Sequence, residues 1–345
     1  TTGLSGVNTT YAGAISGSGS VNKIGPGTLT LTGINAFTGT LNIAGGAVTL
    51  NGGLLDDAAN VSVSNASLNV NTSDTINRLT ATQNSTLTIA PGATLTSNHS
   101  AEADITATVS TGNDFPIINV AGGTQNLTVG MSIRDVNSSN DIPGAYIVQI
   151  LNSNQVLMSN STASSGASPA KTFAFGSVNQ VAASLKGSGD WVKNGNGNLL
   201  LGSSNSDLSG TMTFNGGNII AGGFNLGGRN QIQDTISNSA EVSFGSTNPV
   251  TFNLAVSPLN LLPFERIGSL SGGGSGTVVN VVGLSSSGAL ALGGNNRSTT
   301  FDGSIRGSIS NTAFTGSPTT NLASVVSGNF PWLIKEGTGT LDWTN

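Results

Sequence analysis

The chain has 345 residues, of which 8% are charged, with a formal net charge of −5, 49 glycines and no cysteine. So little charge excludes a disordered polyelectrolyte, and only 11 scattered Lys and Arg exclude a basic nucleic-acid-binding face. No apolar run reaches the roughly 18 residues of a membrane-spanning helix, and a secreted chain without disulfides must draw stability from a large repetitive core or from assembly.

Taken from the beginning, Thr1-Thr2 carries neither an initiator Met nor a charged-then-apolar leader, as expected of a mature secreted chain or a trimmed one. Residues 11–100 alternate with period two: Leu29/Leu31, Leu41/Ile43, Val48/Leu50, Val61/Val63, Leu68/Val70 and Leu87/Ile89, with Thr, Ser and Asn between them. That pattern predicts short strands with one face inside, punctuated by Gly45-Gly46, Gly52-Gly53 and Pro91-Gly92. Residues 103–178 interrupt it. Val120, Leu127 to Ile133, Ile142-Pro143-Gly144, Tyr146 to Val148 and Val156 to Met158 read as four or five antiparallel strands with a Pro-Gly turn. Alternation resumes at 179. Leu259 to Arg266 is compatible with a short helix or an apolar loop. A second, smaller insertion lies between Gly307 and Lys335, which stand 28 apart where the matching Gly17 and Lys23 stand six apart.

One motif occurs three times: Lys23-Ile-Gly25-Pro-Gly27-Thr-Leu29-Thr-Leu31, Lys193-Asn-Gly195-Asn-Gly197-Asn-Leu199-Leu-Leu201, and Lys335-Glu-Gly337-Thr-Gly339-Thr-Leu341-Asp-Trp343. Such internal repetition is the signature of a stacked architecture. The economical fold is all-β: a single-stranded right-handed parallel β-helix (solenoid) with an inserted small antiparallel β module. Its parts are an N-terminal helix portion at 1–102, the module at 103–178 and a C-terminal portion at 179–345 that ends in an incomplete repeat. Inward aliphatics form ladders, Gly and Asn take tight corners, and Asn stacks satisfy one another. About eleven coils would span on the order of 50 Å at ~4.8 Å each.

The first copy with its continuation through Asn35, Phe37-Thr38-Gly39 resembles the passenger-associated repeat of bacterial autotransporters and related giant surface proteins. Ile267-Gly-Ser-Leu270, then Ser298-Thr-Thr-Phe301 to Gly307, is similar to the segment that commonly precedes that repeat. The 103–178 stretch resembles a small β module of bacterial secreted proteins. The resemblance implies a β-helix and an extracellular or cell-surface location. It does not imply an activity, because such helices carry adhesins, proteases, toxins and inert stalks.

Residues able to carry chemistry are few. His99 is the only histidine, in a polar Ser97-Asn98-His99-Ser100 stretch, and is expected to be a solvated loop residue. Asp56-Asp57 reads as a solvated corner, and Asp135, Asn137, Asn140 and Asp141 as a turn rather than a calcium site. Gly272 to Gly276 lacks the Lys of a phosphate cradle. No catalytic residue, metal site or cofactor is expected, so the chain is read as a non-enzyme. Lys23, Lys193 and Lys335 are expected to be structural, and Trp191 to fill the core.

The last copy of the motif stops where the first continues, and Val7 to Ile15 resembles that continuation. Complementary half-repeats imply a head-to-tail homopolymer. The candidate subunit interface is Val7, Asn8, Tyr11, Ile15, Trp332, Leu341, Trp343 and Asn345. The expected role is a secreted bacterial structural protein, subunit of an extracellular fibre. The alternatives are a fragment of a cell-surface adhesin and a protein that binds or cleaves glycans of the cell surface or matrix. No nucleic acid and no membrane insertion are expected.

Overall fold

Alternation decides the local structure. In Thr28–Leu31, Thr40–Ile43, Ala47–Leu50, Asn60–Val63 and Ser67–Val70 every second residue is a buried Leu, Ile or Val, and the intervening Thr, Asn, Ser and Ala47 are partly exposed. β-branched and short polar side chains favour the extended backbone, and burying one face makes it stable. The computed structural model describes all residues except 3, 83, 102, 112–116, 136–145, 159–170, 203–205, 223–234, 255–263, 282–288, 307–331 and 345. Among the described residues the chain is all-β, with 35 strands and no helix.

Most strands are parallel. A ten-stranded sheet runs from Val21–Lys23 to Ser304–Arg306, and an eight-stranded sheet from Asp74–Ile76 to Leu341–Trp343. A six-stranded sheet runs from Thr9–Tyr11 to Ser184–Gly187. Each gains strands in chain order, and the chain visits the sheets in rotation. Asn60–Val63, Ser67–Val70 and Asp74–Ile76 enter the ten-, six- and eight-stranded sheets, and Arg78–Ala81, Thr86–Ile89 and Thr94–Asn98 repeat the circuit. Early on, the two-stranded sheet of Ser16–Gly17 and Ala36–Phe37 takes the eight-stranded sheet's turn in the rotation. Later the three-stranded sheet of Phe264–Ile267, Ala289–Leu292 and Trp332–Lys335 takes that of the six-stranded one. Ten strands at ~4.8 Å extend about 43 Å.

The inward side chains form one continuous apolar column from Leu29 to Trp343. One register line shows its construction: Ile76, Ser97, Lys193, Phe214, Phe244, Gly272, Phe301 and Trp343 pair in succession across the eight-stranded sheet. Gly272 (φ +73°) supplies no side chain, and Phe244 and Phe301 meet across it with ring centroids 6.0 Å apart. Asn side chains run in chains as expected, but along strands as well as at their ends. Asn42 donates to Asn22 (2.8 Å) in mid-strand, while Asn215 donates to Asn194 (2.8 Å) and Asn194 to Asn98 (3.1 Å) at strand ends.

Between Ile105 and Gly176 lies a separate antiparallel sheet of six strands with its own apolar core around Ile118, Ile133, Phe173 and Phe175. Its first and last strands, Ile105–Thr111 and Lys171–Gly176, pair with each other and go beyond the four or five strands read from sequence. In Ile105–Thr111 short Thr, Ala and Ser side chains dominate and give little apolar signal, whereas Lys171–Gly176 carries Phe173 and Phe175 and was readable by alternation. Leu127 to Met131 lie outside any strand, with a turn at Val129-Gly130. The parallel ladder ignores the insertion: Leu87 pairs with Leu185, Asn98 with Asn194 and Ala81 with Val181. Tyr146 and Val148 of the antiparallel sheet pack on Leu200 and Ile220, which point outward from the ten-stranded sheet. Of the stretch read as helix or loop, Glu265 and Arg266 lie in the strand Phe264–Ile267, and Leu259 to Pro263 lie outside the described residues. Pro143-Gly144, the interval from 307 to 331, and Asn137, Asn140 and Asp141 also lie outside them.

Candidate functional site

The repeated lysine has a chemical purpose that its spacing explains. Lys23 ends Val21–Lys23 on an inward position and is 1% exposed. Its ammonium donates to the carbonyls of Ile24 (3.2 Å), Gly25 (2.8 Å) and Gly45 (2.9 Å), so all three donors are used. Lys193, 0% exposed, donates to Gly195 (2.7 Å) and to Gly216 (2.6 Å), one carbonyl in its own corner and one in the next circuit. Lys335 donates to Glu336 and to Gly337 (3.3 Å), both in its own corner. Glycines follow because the corner turns through positive φ, at Gly25 (78°), Gly195 (77°) and Gly337 (64°). Burial pushes the Lys23 ammonium below its usual pKa and that of Lys193 down to about 7.

The three copies are not equivalent in space. Lys23 leads from the ten- to the six-stranded sheet, Lys193 from the eight- to the ten-stranded, and Lys335 from the three- to the eight-stranded. The motif encodes a corner, and the chain uses it at three different ones.

His99 is a correction: it is buried at 0% exposure, not solvated. Leu95, Ser97 and His99 continue one inward alternation, so the polar composition of the stretch misled the reading. Ser97 Oγ lies 3.0 Å from His99 Nε2 and accepts the Trp191 indole N–H at 3.0 Å, while His99 Nδ1 has no hydrogen-bond partner. Burial first, then the charges of Lys193 and Arg78, push His99 down to about 3, so it stays neutral. Trp191 fills the core as expected.

Other buried charges are also spent on the backbone. Asp74 accepts from Leu55 N (3.0 Å) and Thr75 N (3.0 Å), and burial pushes it up to about 6 despite those donors. Glu265, 1% exposed, accepts from the N–H groups of Thr235 (3.0 Å) and Ile236 (2.5 Å). Asp56 caps its own turn by accepting from Ala58 N at 2.9 Å. Among the described residues no three His, Cys, Asp or Glu side chains gather to hold a metal. Sequence reasoning missed Asp74 and Glu265; inward parity from Ile76 and Ile267 marks both positions.

No protein-family model, curated protein or solved structure matches the chain.

The residues read as an interface fall at two opposite ends of the sheets. Val7 (61% exposed) and Tyr11 (44%) belong to the first circuit, where Thr9–Tyr11 pairs on one side only, with Thr28–Leu31. Asn8 Oδ1 accepts from Thr28 N at 2.7 Å, and the Ile15 side chain is half-buried against the column. At the other end Leu341 is half-buried in the same way. Trp343 is 6% exposed and donates its indole N–H to Gly303 O at 2.8 Å, so its ring caps the column from within. Trp332 pairs through its backbone with Ala289, and Asn345 lies outside the described residues.

Proposed function

We propose that the parallel sheets form one single-stranded, right-handed parallel β-helix and that its role is structural. In this reading the protein is a secreted bacterial subunit of an extracellular fibre assembled head-to-tail. The observation that carries it is the use made of the inward polar groups. Lys23, Lys193 and Asp74 each bond backbone groups of corners and loops. Charge in the interior is spent on holding the circuits in register, and an enzyme would aim it at a substrate cleft. Rotation of the chain through the sheets with parallel pairing throughout is the strand order a β-helix requires.

Negative-stain electron microscopy of the purified chain at rising concentration tests the reading. Unbranched filaments that lengthen with concentration are expected. Discrete rods only ~43 Å long at every concentration would overturn it.

A further inference from the structure

We propose that the first and last circuits are two halves of one joint, filled by a second copy of this chain, and that the copy adds circuit on circuit. The inference rests on the fibre reading and gives it a register. Among the described residues, five half-buried hydrophobics pack against the column, and four are at its ends: Ile15 and Val21 at one, Leu333 and Leu341 at the other. Among the described residues the large exposed hydrophobics favour the first end: Leu4, Val7, Tyr11 and Ile34 belong to the first two circuits, and Leu151 lies on the antiparallel sheet.

The order of the sheets fixes how a copy must seat. The last strands are Ser304–Arg306 on the ten-stranded sheet, Trp332–Lys335 on the three-stranded and Leu341–Trp343 on the eight-stranded. In the first circuit Thr2 bridges to Lys23 on the ten-stranded sheet, Thr9–Tyr11 borders the six-stranded and Ser16–Gly17 the two-stranded. These last two take the same turns in the rotation as the three- and eight-stranded sheets. A copy therefore presents Thr2, Thr9–Tyr11 and Ser16–Gly17, in chain order, to these three strands, each of which pairs on one side only among the described residues. Each added pair is parallel and supplies main-chain hydrogen bonds.

The side chains fit that seating. Gly17 shares the register line of buried Phe37, and a Cβ at Gly17 would meet nothing within 4 Å. Seated on Leu341–Trp343, it gives the Trp343 ring a glycine to lie against, as Gly272 does between Phe244 and Phe301. Lys335 reaches carbonyls of its own corner only, whereas Lys23 and Lys193 also reach the next circuit. The copy's corner after Tyr11 brings the missing carbonyl. Completing the repeat end to end, as the half-repeats suggest, would instead rotate the copy by one corner, because the motif copies occupy different corners. A longer polypeptide that brought its own circuit to either face would use the same contacts.

The chain has no cysteine, so introduced pairs report alone. Ser16 and Asp342 are exposed on outward positions, and Ile334 is half-exposed on Trp332–Lys335, the joint strand that Ser16 does not meet in this register. In the S16C/D342C variant, a short bis-maleimide is expected to give a ladder of covalent oligomers on a denaturing gel, while S16C/I334C stays monomeric. A ladder from S16C/I334C, or filaments with no ladder from S16C/D342C, would overturn this register and leave the fibre reading standing. Loss of filaments in the unmodified chain would overturn both.

Discussion

A buried lysine in this chain works as a clamp on carbonyls. Replacing Lys193 with Met keeps the volume but leaves the Gly195 and Gly216 carbonyls unpaired, each costing about 1–3 kcal/mol, partly offset by no longer burying a charge. Lys193→Met is expected to lower stability by about 2 kcal/mol in denaturant titration, against less than about 0.5 kcal/mol for Lys186→Met on the surface. His99 sets an acid limb. Its folded pKa of about 3 lies below the unfolded 6.5, so its contribution is complete above pH 6.5 and is lost as the pH falls toward 3. Asp74 runs the other way: raised from 3.8 to about 6, its contribution is complete below pH 3.8 and lost as the pH rises through 6. Thermal melts of His99→Gln are expected to lose the decline between pH 6.5 and 3 and to keep the Asp74 limb; an unchanged decline would contradict a buried neutral imidazole. The lysine motif was legible in the sequence because a corner repeats its residues. Its three locations were not, since nothing local in Lys-x-Gly-x-Gly says which sheet comes next. His99 was misread because polar neighbours outweighed the parity running from Leu95 through Ser97.

At the scale of elements, alternation of aliphatic residues made six of the thirteen strands before residue 100 readable, and the shorter or more polar ones, such as Asp74–Ile76 and Thr94–Asn98, were not. Leu199-Leu200-Leu201 and Ile219-Ile220 break period two because Leu200 and Ile220 lie outside the column, under Tyr146 and Val148. Asn198 adds hydrogen bonds to Ser132 Oγ (3.0 Å) and Ser177 O (2.9 Å) at the same junction. The sequence reading located the inserted sheet but not its docking, because a doubled apolar residue also suits an edge or a bend. Since Leu87 pairs with Leu185 across the insertion, the sheet is removable. A chain with 103–176 replaced by an Asn-Gly-Asn-Gly corner, and with Leu200→Thr and Ile220→Thr, is expected to remain folded. The same excision without the two threonines exposes an apolar patch and is expected to aggregate in light scattering. Failure of both to give strand-rich circular dichroism would contradict the independence of the parallel ladder.

At the scale of the whole molecule, a continuous apolar column and polar groups bonded to corners are joined by the proposal that the two end faces meet. Repetition in the sequence announced stacking. The register proposed for the joint comes from the strand order, because the half-repeats complete one another in sequence at a different corner from the one the sheets offer. If circuits continue through every joint, the strands lie across the filament axis and their spacing runs along it. Diffraction from aligned filaments of the unmodified chain measures this directly. The expected result is a meridional reflection near 4.8 Å that persists without a break in coherence at the subunit boundary. Filaments whose 4.8 Å spacing lies on the equator, or chains that never exceed one protomer's length, would contradict the account.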